Sequence, residues 1–245
     1  MPVSKKNQSV PSPSPSKMTF TKIMHQLKSI ANPVNRAGMA RFGINPANTL
    51  GISVKTLREI ARGIGQDQGL AWELWASGVH EARILASIIE EPGKVAPEQA
   101  DAWVAELDSW DVCDQCCLNL FGKTHFAYEK AVFWAGQKVE FTRRAGFALM
   151  AVLAFHDKHA SDSDFEPFFT LIAAGAEDER NFVKKAVNWA LRQLGKRNPN
   201  LWRRAVGLAG ELAASPAKSA RWVGKNAVKE LQSEAVKKRL GLPQD

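Results

Sequence analysis

The sequence predicts an all-α fold: a solenoid of antiparallel helix pairs with a concave basic face. Three observations carry that prediction. No segment shows the period-2 alternation of a half-buried strand, whereas apolar residues recur at three- and four-residue spacing along most of the chain. Turn and capping residues divide this pattern into short helices joined by loops of about two to six residues. The helices recur as pairs about 35–45 residues apart, the rhythm of a helical repeat array. The pairs share no crisp motif, so a globular helical bundle is the alternative architecture.

Each element has a local reason. Residues 1–17 contain three Pro-Ser steps from Pro11 to Ser16, with Lys5, Lys6 and Lys17. Such a composition cannot build a core, and it predicts a disordered tail ahead of one domain over residues 18–245. A first helix from Met18 to Ile30 puts Phe20, Ile23, Met24 and Leu27 on one face. Pro33, Gly38, Gly43, Pro46 and Asn48 make the next stretch turn-rich, around a short helix at Arg36 to Arg41. Ser53 is a natural N-cap for Val54 to Gly63, and Asp67 opens a helix to Ala76. Val79 to Glu90 follows, and Pro97 suits the first turn of a helix to Leu107. Asp108 or Ser109 caps a central helix ending near Gly122, and Thr124 caps one to Gly136. Glu140 to Phe155 is long and apolar. Ser163 to Ala174, Asp178 to Leu194, Asn200 to Ala213, Ala217 to Leu231 and a short helix after Ser233 complete the chain.

Charge is distributed unevenly. Net charge is +8, yet residues 1–64 hold ten basic and one acidic side chain, and residues 65–114 hold two basic and eleven acidic. Residues 141–245 return to 18 basic against 11 acidic. Two basic ends around an acidic middle suit a polyanion gripped from both ends, with the acidic helices turned away. Solubility alone is the plainer reading of the same charge. No apolar run approaches membrane-spanning length. The three cysteines, Cys113, Cys116 and Cys117, are an odd, clustered set. They are not a disulfide framework, and a cytoplasmic location is expected.

The stretch from Ser109 to Cys117 organises the candidate chemistry. At 100° per residue, Cys113, Cys116, Cys117 and Leu120 share an apolar arc. Trp110 and Asp114, four apart, stack at its edge, while Asp111 points further outward. An aromatic ring and a carboxylate are thus presented together beside a buried seam. A core has no need of that carboxylate, because burying an unpaired charge is costly. Further on, Phe182, Val183, Ala186, Ala190 and Leu194 form a core stripe, and Lys185, Trp189, Arg192 and Lys196 line another strip. A tryptophan among cations suits a nucleic-acid surface, the cations meeting phosphates and the ring covering a sugar or base. Arg143 and Arg144 point about 100° apart on a helix. One arginine fork can take a phosphate, or either can pair with a carboxylate. The cysteines are too close-set to close a zinc site, and no HExxH, glycine-rich phosphate loop or nucleophile elbow occurs. No metal, cofactor or covalent nucleophile is expected.

These segments together resemble a known family. The chain is similar to the AlkD-type DNA alkylation-repair glycosylases, HEAT-like repeat proteins, over about Met18 to Leu240. The carrying segments are Gly51–Arg62, His80–Ala86, Ser109–Asp114, Arg143–Ala145 and Val183–Arg192. The family's Trp-x-x-x-Asp element matches Trp110 and Asp114, the second arginine of its Arg-Arg pair matches Arg144, and the tryptophan of its late basic helix matches Trp189. The family also departs from this chain: some members carry a tyrosine and a glutamine near the N-terminus. Here the only tyrosine is Tyr128, the corresponding stretch reads Gly38-Met-Ala-Arg-Phe-Gly43, and Ser109 stands where some members carry a further tryptophan.

The resemblance implies a monomeric, monofunctional glycosylase that releases cationic N3- or N7-alkylated purines from duplex DNA without flipping the base. It implies catalytic roles for Asp114, Trp110 and Trp189, and a backbone contact from Arg144. Arg143, Lys185, Arg192 and Lys196 extend the expected DNA surface. A non-catalytic relative that binds damaged or branched DNA by shape is the alternative, and a protein-binding scaffold a third.

Overall fold

The computed structural model describes residues 18–243, so the expected tail lies outside the described residues. Among the described residues every regular element is a helix. In chain order they are α1 (Phe20–Ser29), α2 (Pro33–Met39), α3 (Val54–Ile64), α4 (Gln68–Ala76), α5 (His80–Ile89), α6 (Pro97–Ala105), α7 (Trp110–Asn119), α8 (Ala127–Ala135), α9 (Glu140–His156), α10 (Glu166–Gly175), α11 (Asn181–Gly195), α12 (Pro199–Ala214), α13 (Lys218–Leu231) and α14 (Glu234–Arg239). Short 3-10 turns sit at Ala40–Phe42, Pro92–Lys94, Phe121–Lys123 and Asp162–Phe165. No helix among them is long and apolar enough to cross a membrane.

Local chemistry sets the boundaries. Ser53 accepts from the Thr56 amide, Asp67 from Leu70 and Asn198 from Leu201, each satisfying an amide the helix leaves unpaired. Pro199 occupies the first turn of α12. Where the boundaries differ from the sequence reading, a side chain is engaged elsewhere. Thr124 caps no helix, because its hydroxyl donates back to the Phe121 carbonyl at 2.8 Å and closes a 3-10 turn. α11 starts at Asn181 rather than Asp178, because the Asp178 carboxylate accepts from the Arg180 amide and guanidinium.

Neighbouring helices pack as pairs, α4 on α5, α8 on α9, α12 on α13, and the pairs stack. α9 is the axis of the stack, touching α7, α8 and α11. Every residue from Arg144 to Ala154 in it is buried. That explains its lack of a polar face: a helix surrounded on all sides has no solvent stripe. Gly146 lets α8 and α9 touch at backbone distance, because a Cβ there would run into the Ala135 backbone. Gly224 does the same for α13 against Ala213. Trp103 stacks on Trp75 with centroids 4.1 Å apart, and Trp134 meets Phe121 edge-on at 5.3 Å. All three cysteines are buried, as the apolar arc of α7 predicts. Burial pushes the Cys116 and Cys117 thiols well up, which keeps them neutral.

Candidate nucleic-acid interface

The first turn of α7 carries Trp110, and one turn later comes Asp114. Asp114 does not face solvent alone. The Arg144 guanidinium, from the first half of α9, forks onto it: Nε reaches Oδ1 at 3.1 Å, and Nη2 reaches Oδ1 and Oδ2 at 2.9 Å each. Nη1 of the same arginine donates to the Phe182 carbonyl at the start of α11, at 2.6 Å. One side chain therefore ties three helices. The pair is mostly withdrawn from water, with 6% of the Arg144 side chain and 14% of the Asp114 side chain exposed. Burial pushes the Asp114 carboxyl up from its ordinary value, and the guanidinium opposes that push without cancelling it. Arginine does not give up its proton, so the fork holds a carboxylate at neutral pH.

Trp110 is fixed from two sides. Its Nε1 donates to the Phe42 carbonyl at 3.0 Å, and the Arg144 guanidinium lies 5.8 Å from its ring centroid. The Phe42 carbonyl belongs to a lip made by α2 and the 3-10 turn after it. Buried Glu81 anchors that lip by accepting from the amides of Leu50, Gly51 and Ile52 at 2.8, 2.6 and 3.2 Å. Three amide donors satisfy a charge that burial would otherwise penalise. Lip, α7, α9 and α11 enclose an open cleft of about 590 Å³ lined by Ala40, Arg41, Phe42, Gly43, Trp110, Arg144, Asn181, Phe182 and Lys185.

Asp111, placed outward by the helical wheel, turns inward. Its Oδ2 lies 2.8 Å from Nε2 of buried His80, and its Oδ1 accepts from the Ser109 hydroxyl at 2.8 Å. The turn is possible because α7 has just begun, and Ser109 uses its hydroxyl on Asp111 instead of capping α7. Burial works to lower the His80 pKa, but the Asp111 carboxylate outweighs it and the net shift is upward. Burial works to raise the Asp111 pKa, and His80 with Ser109 and the Val112 amide brings it down.

The structure brings together Trp110, Asp114, Arg144 and Lys185. Trp189 sits one turn beyond Lys185 on the same face of α11, half-buried against Phe155 with centroids 6.4 Å apart, and is not a wall of the cleft. Arg192 and Lys196 converge on Glu230 of α13, Lys196 Nζ at 2.6 Å. Arg143 Nε lies 3.3 Å from Asp178. Both arginines of the pair thus face carboxylates, the second of the two possibilities open from sequence. Phe182, assigned above to the core stripe of α11, instead lines the cleft, and its ring lies 5.4 Å from Phe141. It sits in the first turn of α11, at the edge of the contact with α9, and is only partly buried there. The sequence reading missed the Phe42 carbonyl, Glu81 and His80 as supports. Glu81 had a readable signal, since it stands one position from Ala82 and three and four from Ile84 and Leu85, on the face that α5 buries, and a buried acid needs donors. A backbone carbonyl in a turn has none.

The sequence profile of the DNA alkylation repair enzyme family matches residues 23–231. The chain belongs to the DNA alkylation repair enzyme family. A solved structure supports the family's architecture here, aligning with a TM-score of 0.78 over 93% of this chain and 98% of its own, at 21% identity. That protein is described as one of a new family related to the HEAT-like repeat DNA glycosylases, with affinity for branched DNA structures. The fold of this DNA alkylation repair family member is therefore the HEAT-like repeat. No curated protein matches its sequence.

Proposed function

We propose that the protein is a monofunctional glycosylase that hydrolyses the N-glycosidic bond of cationic N3- or N7-alkylated purines in duplex DNA, leaving an abasic site. The observation that carries this reading is Asp114: a largely dry carboxylate forked by Arg144 and one turn from a fixed tryptophan, with Arg144 and Trp110 both walls of an open cleft that also carries Arg41 and Lys185. An alkylated purine already bears positive charge and leaves readily, so the burden on the protein is the cationic deoxyribose that forms as the bond breaks. A preorganised carboxylate stabilises that cation and orients the attacking water. The fork from Arg144 uses three acceptor positions of Asp114 and leaves Oδ2 room for a further donor. The Trp110 ring adds cation–π stabilisation of about 1–2 kcal/mol where water is excluded, while Trp189, one turn beyond Lys185 on α11, is placed to cover the DNA next to the cleft. Arg41 and Lys185 on the cleft walls meet phosphates, and Arg144 positions Asp114 while turning an edge to the same cleft. A shallow, open cleft suits chemistry on a base left in the duplex and has no need of the enclosed pocket a flipped base requires.

A second reading is a binding protein for branched or damaged DNA without catalysis. It is favoured by the guanidinium that already neutralises Asp114, and by the branched-DNA affinity described for the structural relative. The deciding experiment follows abasic-site formation in duplex DNA carrying N7-methylguanine, with wild type and Asp114→Asn compared after thermal melting has shown both folded. Release that collapses in the variant supports the glycosylase. No release by wild type, with tight binding to branched DNA retained, sinks it in favour of the second reading.

A further inference from the structure

Phe42 has a role that the chemistry at Asp114 does not use. Its side chain is 74% exposed, the most exposed aromatic among the large hydrophobic side chains described. Yet its backbone is tied down. The carbonyl accepts from Trp110, and the Gly43 amide donates to the Ala40 carbonyl at 3.0 Å. Gly43 turns the chain with a φ of +72°, and a Cβ there would stand 2.9 Å from the Phe182 ring. Asn32 and Asn35 pin the other end of the lip to Leu50 and Gly51, which Glu81 holds in turn. A large apolar ring is thus presented to water from an anchored backbone on the wall of the cleft. Holding it there in the free protein prepays the ordering that binding would otherwise cost.

The surroundings name the partner. Arg41 precedes it, Lys185 and Arg144 face it across the cleft, and no acidic residue occurs from Ala31 to Arg58. Arg144 is committed to Asp114, but among the described residues Arg41 and Lys185 lie in no ion pair with a carboxylate, and an apolar ring between two such cations matches a nucleobase on its phosphate backbone better than an apolar protein surface. In an intact duplex each base face is already covered by its neighbours. We infer that Phe42 stacks on a single nucleobase left unstacked in DNA, at a gap, a lesion or a branch. This rests on the DNA-binding part of the function proposed above and not on catalysis.

The test measures affinity of the full chain for a labelled intact duplex and for the same duplex with a one-nucleotide gap. Wild type is compared with Phe42→Ala, Phe42→Leu and Phe42→Trp, after melting curves have shown all four folded. Wild type is expected to prefer the gapped duplex. Phe42→Ala should lose at least about fivefold of that preference, the lower end of what stacking one base contributes. Phe42→Trp should keep the preference and Phe42→Leu should not, while affinity for the intact duplex stays unchanged in all. Preference retained by Phe42→Ala, or restored in full by Phe42→Leu, overturns the stacking role. Equal binding of both duplexes by wild type also overturns it but leaves DNA binding standing. Binding to neither overturns the DNA reading itself, and the stacking role with it.

Discussion

Asp114 and Arg144, 30 residues apart on α7 and α9, are joined by a forked ion pair whose third arm reaches α11 at the Phe182 carbonyl. The pair is at once a structural clasp and the candidate chemical centre. The structural role and the proposed chemical one separate by mutation, because stability depends on the neutralised charge and the proposed chemistry on the carboxylate.

Arg144→Met should destabilise the fold by about 3–5 kcal/mol, the cost of stranding one member of a buried pair. Arg144→Lys keeps the charge but loses the fork and should fall between. Urea unfolding midpoints measure both. An unchanged midpoint in Arg144→Met would mean that Asp114 is well solvated and the clasp has no structural weight.

The His80–Asp111 pair makes stability depend on pH in a definite direction. A histidine with raised pKa contributes stability that is complete below its ordinary value of 6.5 and is lost as pH rises through the raised one. An aspartate with lowered pKa contributes stability that is complete above its ordinary value of 3.8 and is lost as pH falls through the lowered one. The stability gap between wild type and His80→Gln should therefore be widest between pH 3.8 and 6.5 and narrow on both sides. Denaturation across that range reads it directly, and a gap independent of pH would show that the pair carries no charge.

Two glycine-to-alanine substitutions should move stability in opposite directions. At Gly146 the added methyl meets the Ala135 backbone, so α8 and α9 must separate, at about 1–3 kcal/mol. At Gly207, exposed on α12, nothing lies within 4 Å, and relief of backbone entropy should stabilise by about 0.4–1 kcal/mol. Thermal melting distinguishes them.

The basic residues of α11 should contribute unequally to DNA binding. Lys185 is exposed on the cleft wall, so Lys185→Ala should reduce the log–log salt slope by about one. Arg192 and Lys196 share Glu230, so replacing Arg192 with Ala should reduce it less. Equal effects would place the DNA along the whole of α11, with Glu230 yielding both partners.

Much of this was legible in the residues. Helix caps at Ser53 and Asp67 follow from residue type, and the apolar arc of the three cysteines and the placement of Trp110 one turn from Asp114 follow from spacing within a single helix. Short-range geometry is nearly fixed once a segment is helical, because side chains three and four apart must be neighbours. Asp111 shows where that rule ends. The wheel sets its direction from the α7 axis but is silent about His80, 31 residues earlier, which draws it inward.

The sequence by itself determined the helices, their paired rhythm, the family and the candidate side chains Trp110, Asp114, Arg144 and Trp189. Only the tertiary structure decided which of them meet. It placed Arg144 on Asp114 rather than in solvent, moved Phe182 from core to cleft, left Trp189 a turn outside and raised Phe42 on an anchored lip. The reason is physical: a buried charge takes whatever partner the packed helices bring within hydrogen-bond reach, and that partner is chosen by the fold and not by proximity in the chain.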